Sequence, residues 1–152
     1  MSDPAAGILI VDDEAANRRL LVALLKPLGY LTSTAAGGPE ALAMIGQRAP
    51  DLLLLDYMMP GMDGIQVARA LKADPRTNGI PIIMVTAQAD RAARLAALDA
   101  GAEDFLAKPI DRTELLLRVR NLLRLKAFTD FLHDHAAILE SQVRARTAEL
   151  QF

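Results

Sequence analysis

Five polar side chains stand directly at the ends of apolar runs, and that placement is the main chemical signal in the chain. Asp12 and Asp13 follow Gly7-Ile8-Leu9-Ile10-Val11, and Asp56 follows Leu52-Leu53-Leu54-Leu55. Thr86 closes Pro81-Ile82-Ile83-Met84-Val85, and Lys108 closes a shorter stretch that begins at Ala102. A continuous apolar run bounded by turn residues reads as a strand buried on both faces. Each polar group then sits at the carboxyl end of a strand, the edge at which open α/β sheets bind ligands. A carboxylate held there must be met by a metal, another cation or backbone donors. With strand order 2-1-3-4-5, strands one and three are neighbours at the switch point, so Asp12, Asp13 and Asp56 converge. Like charges so close repel, and one of them protonates unless a cation intervenes. Donors that are all oxygen suit a hard cation, Mg²⁺ before Ca²⁺. Metal, hydroxyl and ammonium around one aspartate form a site for an anion carried on that aspartate. Phosphoryl transfer needs these parts, because it runs on positioning and on neutralising charge. Asp56 is therefore expected to be a nucleophile that becomes an aspartyl phosphate.

The elements that must hold these residues alternate along the chain. Strands are expected over 7–11, 30–35, 51–55, 81–86 and 102–108, and helices over 14–28, 39–47, 65–72 and 90–100, with helical pattern again from Asp111. Asp12 or Asp13 is expected to cap the first helix. Pro27-Leu28-Gly29 closes it, and Asp63-Gly64 starts the third. Strands alternating with helices imply parallel βαβ units with right-handed crossovers. The fold class is thus α/β: a doubly wound, five-stranded parallel sheet of order 2-1-3-4-5, flavodoxin-like, with an extended C-terminal helix.

Composition narrows the function classes. The chain has 152 residues, 52% of them hydrophobic but only 4% aromatic, so the core is built from Leu, Ala, Ile and Val. It has no Cys, which removes disulfides and thiolate metal sites. A net charge of −2 gives no electrostatic case for nucleic acid. No apolar run approaches the roughly 18–20 residues of a membrane span, and Met1-Ser2-Asp3-Pro4 does not open a signal peptide. A cytoplasmic location is expected.

Taken singly, each residue has an ordinary explanation. Asp12-Asp13 is a helix cap, Thr86 a β-branched strand residue, Lys108 a solvated lysine, Phe105 a core residue, and Met58 and Met59 are gap fillers. Taken together, Asp12-Asp13, Asp56, Thr86 and Lys108-Pro109 resemble the receiver domain of two-component response regulators. The phrases Asp56-Tyr57-Met58-Met59-Pro60-Gly61-Met62-Asp63-Gly64 and Gly101-Ala102-Glu103-Asp104-Phe105-Leu106-Ala107-Lys108-Pro109 are similar to that family's own. The resemblance covers about residues 7–124. It implies that Asp56 is the phosphoacceptor and that Asp13, Asp56 and the backbone carbonyl of Met58 are direct Mg²⁺ ligands, with Asp12 acting largely through water. It implies that Thr86 bonds the phosphoryl group, that Lys108 pairs with it, and that the small Ala87 leaves the site open to a donor. It also implies a cis Lys108-Pro109 bond and places Phe105 at an aromatic switch position. Phe has no hydroxyl, so an inward state there is held by packing alone. The expected partner is a sensor histidine kinase or phosphotransfer protein, and the chain is expected to be a regulatory phosphoacceptor rather than an enzyme.

The final helical pattern runs about 40 residues, roughly 60 Å. Leu115, Leu116, Val119, Leu122 and Leu123 suit packing on the sheet. Beyond them Leu125, Phe128, Leu132, His135 and Leu139 recur at spacings of 3 and 4, flanked by Phe131, Ile138 and Val143. The expected division is a receiver over 7–124 and a projecting, dimerising helix over 125–152. Arg118 to Leu125 and Arg144 to Leu150 resemble linkers ahead of cyclic-di-GMP enzymes, HD-GYP phosphodiesterases or GGDEF cyclases. One alternative is therefore the N-terminal fragment of such a regulator, with its output domain absent here. Another is a complete single-domain regulator whose partner binds the helix. His133-Asp134-His135 is similar to HD phosphohydrolase motifs, but the remaining residues have no room for the further ligands. A Mg²⁺ phosphohydrolase similar to haloacid-dehalogenase-type enzymes would need a second acid two residues after Asp56, where Met58 stands. A flavodoxin would need a Ser/Thr-rich phosphate loop after the first strand, where acids stand instead.

Overall fold

The computed structural model describes residues 5–87 and 90–149. Five strands form one parallel sheet in the order β2-β1-β3-β4-β5: β1 Gly7–Val11, β2 Leu31–Ala35, β3 Leu52–Asp56, β4 Ile82–Thr86 and β5 Asp104–Ala107. The helices are α1 Ala15–Leu25, α2 Gly38–Gln47, α3 Gly64–Ala73, α4 Arg91–Asp99 and α5 Arg112–Glu149. The expected order and element types are all present. The boundaries shift by small amounts, each for a local reason. Pro27 turns the end of the first helix into a short 3-10 segment, Lys26–Leu28, which stops at Gly29. Glu14, not Asp12 or Asp13, is the N-cap of α1, and no side chain caps that helix. Asp12 Oδ1 instead accepts the Glu14 N–H at 2.9 Å, one residue ahead of the helix.

β1, β3 and β4 are buried on both faces because helices cover both. Leu9, Val11, Leu53, Leu55, Ile82, Met84 and Phe105 pack towards α2, α3 and α4. Ile8, Ile10, Leu52, Leu54, Ile83, Val85 and Leu106 pack towards α1 and α5, meeting Leu21, Leu25, Leu115, Val119 and Leu122. Side chains alternate along each strand, so a single uninterrupted apolar run serves both layers. This is why β1, β3 and β4 read so clearly from the sequence while the edge strand β2, Leu-Thr-Ser-Thr-Ala, is mostly exposed.

The loop after β3 is closed by backbone. The Gly64 N–H donates to Tyr57 O at 2.9 Å. Asp63 caps α3 with a reciprocal box: its carboxylate accepts from Gln66 N, and Gln66 Oε1 accepts from Asp63 N, both at 2.9 Å. A Cβ on Gly64 would lie 2.5 Å from Asp56 O and 2.8 Å from Met84 Sδ. The start of α3 therefore sits directly against the carbonyl of Asp56, and only glycine permits it.

The first part of α5 is core, with Leu115, Val119 and Leu122 buried. From Leu125 to Ala145 the side chains described are exposed or half-exposed. Leu125, Phe128, Phe131, Leu132, Ile138 and Val143 are among the large exposed apolar residues. The side chain of Leu139 and residues 150–152 lie outside the described residues. No helix is long and apolar enough to cross a membrane among the described residues. Replacing Gly64 with Val should cost about 1–3 kcal/mol through overpacking, measured by urea denaturation. An unchanged midpoint would contradict the tight approach of α3 to Asp56.

Candidate functional site

Register alone brings the polar residues together. Val11 pairs with Leu55, so Asp12 and Asp56 each follow directly on neighbouring strands. Asp56 pairs with Val85, and Thr86 comes next. Thr86 pairs with Ala107, and Lys108 comes next, its N–H donating to Thr86 O at 2.8 Å. Among the described residues, Asp12, Asp56 and Thr86 are the buried polar ones, and Asp13 is exposed at the rim. The Lys108 ammonium reaches in from β5 and lies 3.2 Å from Asp12 Oδ2 and 3.2 Å from Asp56 Oδ1. The Lys108-Pro109 bond is cis, as the resemblance implied.

Asp12, Asp13 and Asp56 each offer an oxygen within 4.8 Å of the others. That group holds no His or Cys, and its carboxylate oxygens fit a hard divalent cation. Burial first, and the charge of Asp12 second, raise the Asp56 carboxyl from its ordinary 3.8 to about 6, against the pull of Lys108. Burial draws the Lys108 ammonium down, but the carboxylates of Asp56 and Asp12 outweigh it and the net shift is upward. The site is thus short of positive charge where Asp56 meets Asp12.

A family profile described as the response regulator receiver domain matches residues 8–120. The chain belongs to the response regulator receiver family. Receivers are the phosphoacceptor modules of two-component signalling, and the acidic pocket of Asp12, Asp13 and Asp56 is in place. The response regulator PleD of Caulobacter vibrioides is 51% identical over 133 residues, which are 88% of this chain and 29% of PleD. The phosphate regulon transcriptional regulatory protein PhoB of Pseudomonas aeruginosa is 44% identical over 117 residues, 77% of this chain and 51% of PhoB. The chain thus spans about a third to a half of the length of these relatives. Among solved structures, the signal receiver domain of a signal transduction histidine kinase from Syntrophus aciditrophicus is 36% identical with a TM-score of 0.74, covering 79% of this chain and 91% of that one.

Of the residues expected from the sequence, the structure brings Asp12, Asp13, Asp56 and Lys108 into one cluster and buries Thr86 at the end of β4. Met58 lies in the following loop with its side chain exposed. Phe105 is buried beside β4 rather than turned to solvent, with the Arg94 guanidinium 5.8 Å from its ring centroid. Arg94 was not expected, and no local pattern marks it, because the contact joins α4 to β5. Nor were two other supports. Arg18 donates to Asp12 O at 2.6 Å and ties α1 to the end of β1. Arg118 donates to Asp104 Oδ1 at 2.6 Å and ties α5 to the residue before Phe105.

The raised carboxyl carries a sign. Asp56 binds its proton more readily in the folded chain than in the unfolded one. The stability its protonated form contributes is present at acid pH and is lost as pH rises from about 3.8 through about 6. With divalent cations chelated, Asp56→Asn should therefore be more stable than the parent near neutral pH, by on the order of 3 kcal/mol at most. Its stability should also lose the fall across that range. Denaturation midpoints against pH test this, and a variant less stable than the parent near neutrality would contradict it.

Proposed function

We propose that Asp56 is the phosphoacceptor and that Asp12, Asp13 and the Met58 carbonyl complete a Mg²⁺ site with it. The supporting observation is one buried carboxylate with its pKa raised, an ammonium 3.2 Å away and two further carboxylates at hand. In the transfer, an Asp56 oxygen attacks phosphorus and forms a P–O bond. The bond from phosphorus to the donor breaks, and its electron pair leaves with the imidazole of a phosphohistidine or the carboxylate of acetyl phosphate. Bound Mg²⁺ supplies charge neutralisation on the phosphoryl oxygens. Lys108, 3.2 Å from Asp56 Oδ1, pairs with the new charge, about −1.5 to −2 for ordinary phospho side chains. Thr86, at the end of the adjacent strand, is the hydroxyl donor to the phosphoryl group. The donor is a sensor histidine kinase or a phosphotransfer protein, and the compartment is the cytoplasm. The chemistry of the domain is confined to gaining and losing its own phosphoryl group.

Output follows from the elements that touch the site. Drawing Thr86 and Lys108 towards a phosphoryl group shifts the loop after β4 and repacks Phe105 between α4 and α5. The chain divides functionally into a receiver, residues 7–124, and a projecting helix, residues 125–152, through which copies pair and the change is passed on. The likeness of this helix to linkers ahead of cyclic-di-GMP enzymes makes the receiver part of such a regulator the second reading of the chain.

Acetyl phosphate with Mg²⁺ should label the parent chain. It should leave Asp56→Asn unlabelled, and chelation of the metal should abolish labelling of the parent. Label retained by Asp56→Asn would remove Asp56 from the role. Sedimentation at micromolar concentration should show association through residues 125–145, and a monomer there would contradict pairing.

A further inference from the structure

The apolar stripe on the free half of α5 is wider than a two-stranded coil needs, and it turns away from the domain that carries it. With Leu125 and Leu132 at the a positions of a heptad, Phe128 and His135 fall at d. Phe131 and Ile138 then fall at g. The imidazole of His135 stacks on Phe131, with centroids 4.2 Å apart and planes 25° apart, and its Nδ1 lies 2.8 Å from Phe131 O. The d and g positions are thereby joined into one surface. Leu125, Phe128, Phe131, Leu132 and Ile138 are each between 42% and 62% exposed. Together they present on the order of 600 Å² of apolar surface, as much as the largest patch on a typical soluble monomer.

Charge lies elsewhere on this segment. Lys126 pairs with Asp130 at 2.6 Å and Glu140 with Arg144 at 3.7 Å, all at b and f positions on the far side. Two-stranded coils usually carry charged residues at e and g, which pair across the seam. Here those positions hold Thr129, Phe131, Ala136, Ile138, Val143 and Ala145. A stripe of a and d alone marks a coil of two. A stripe of a, d and g, about three residues in seven, marks a helix that faces a bundle core. The stripe also lies roughly 160° around the helix from Leu115, Val119 and Leu122, at 100° per residue. The receiver domains would therefore stand outside such a bundle and not block it.

We propose that residues 125–145 form one helix of a four-helix bundle made by four copies of this chain, two pairs closed on each other. The proposal rests on pairing through this helix and adds the second pair. Copies of the chain are the occupant because every copy presents the same uncharged apolar face at a, d and g, which is buried when the copies close on one another. It offers no charge with which to select a different partner.

Sedimentation equilibrium or light scattering on the full 152-residue chain tests this. The parent should have the mass of four chains. Phe131→Glu with Ile138→Glu, which alters only g positions, should fall to the mass of two chains or one while keeping its helical circular dichroism. A parent of two or three chains, or a four-chain assembly untouched by the double substitution, overturns the bundle. A two-chain parent leaves pairing intact, whereas a monomeric parent removes pairing as well.

Discussion

The structure depends on carboxylates being held at the end of a sheet where water cannot fully solvate them. Asp12 and Asp56 are both buried, both follow apolar strands, and both face the single ammonium of Lys108. That one cation does not satisfy the crowding, since the Asp56 carboxyl is still pushed up to about 6. A local shortage of positive charge is costly to maintain, and carboxylate oxygens crowded in this way suit a hard divalent cation. The rest of the fold keeps the crowding in place. Parallel register sets the depth of each group, the closed loop from Tyr57 to Gly64 fixes the end of β3, and Arg18 holds the end of β1.

Phe105 packs between the strands that carry the site and α4. It lies on β5 three residues before Lys108, in the same packed layer as Met84. Its ring carries no hydroxyl, so packing and the Arg94 guanidinium are what hold it. Arg94 belongs to α4, which begins just after the loop that follows Thr86. Asp104, directly before it, is tied by Arg118 to α5. Thr86 is thus joined to the long helix through β5, whose Asp104 holds Arg118, while α4 meets the same strand at Phe105.

The sheet and the site were legible in the sequence for one reason. Buried parallel strands leave unbroken apolar runs, and the polar residue that ends each run is conspicuous. Leu52 to Leu55 before Asp56 is the clearest case. What was not legible depends on contacts between distant segments. Arg94 over Phe105, Arg118 on Asp104, and Lys72 bonded to Glu103 each join residues from different elements, and a paired arginine or lysine looks like any other in sequence. The N-cap of α1 is not legible in the sequence. Asp is a good cap residue, but the Asp12 carboxylate accepts from Glu14 N, ahead of the helix, and its other oxygen faces Lys108.

The most direct test is a crystal structure of the chain with Mg²⁺ and beryllofluoride. The account predicts the ion among Asp12, Asp13 and Asp56, beryllofluoride bonded to an Asp56 oxygen, and Lys108 and Thr86 turned to its fluorines. An ion bound elsewhere, or Lys108 still lying between Asp12 and Asp56 with Asp56 unmodified, would contradict it.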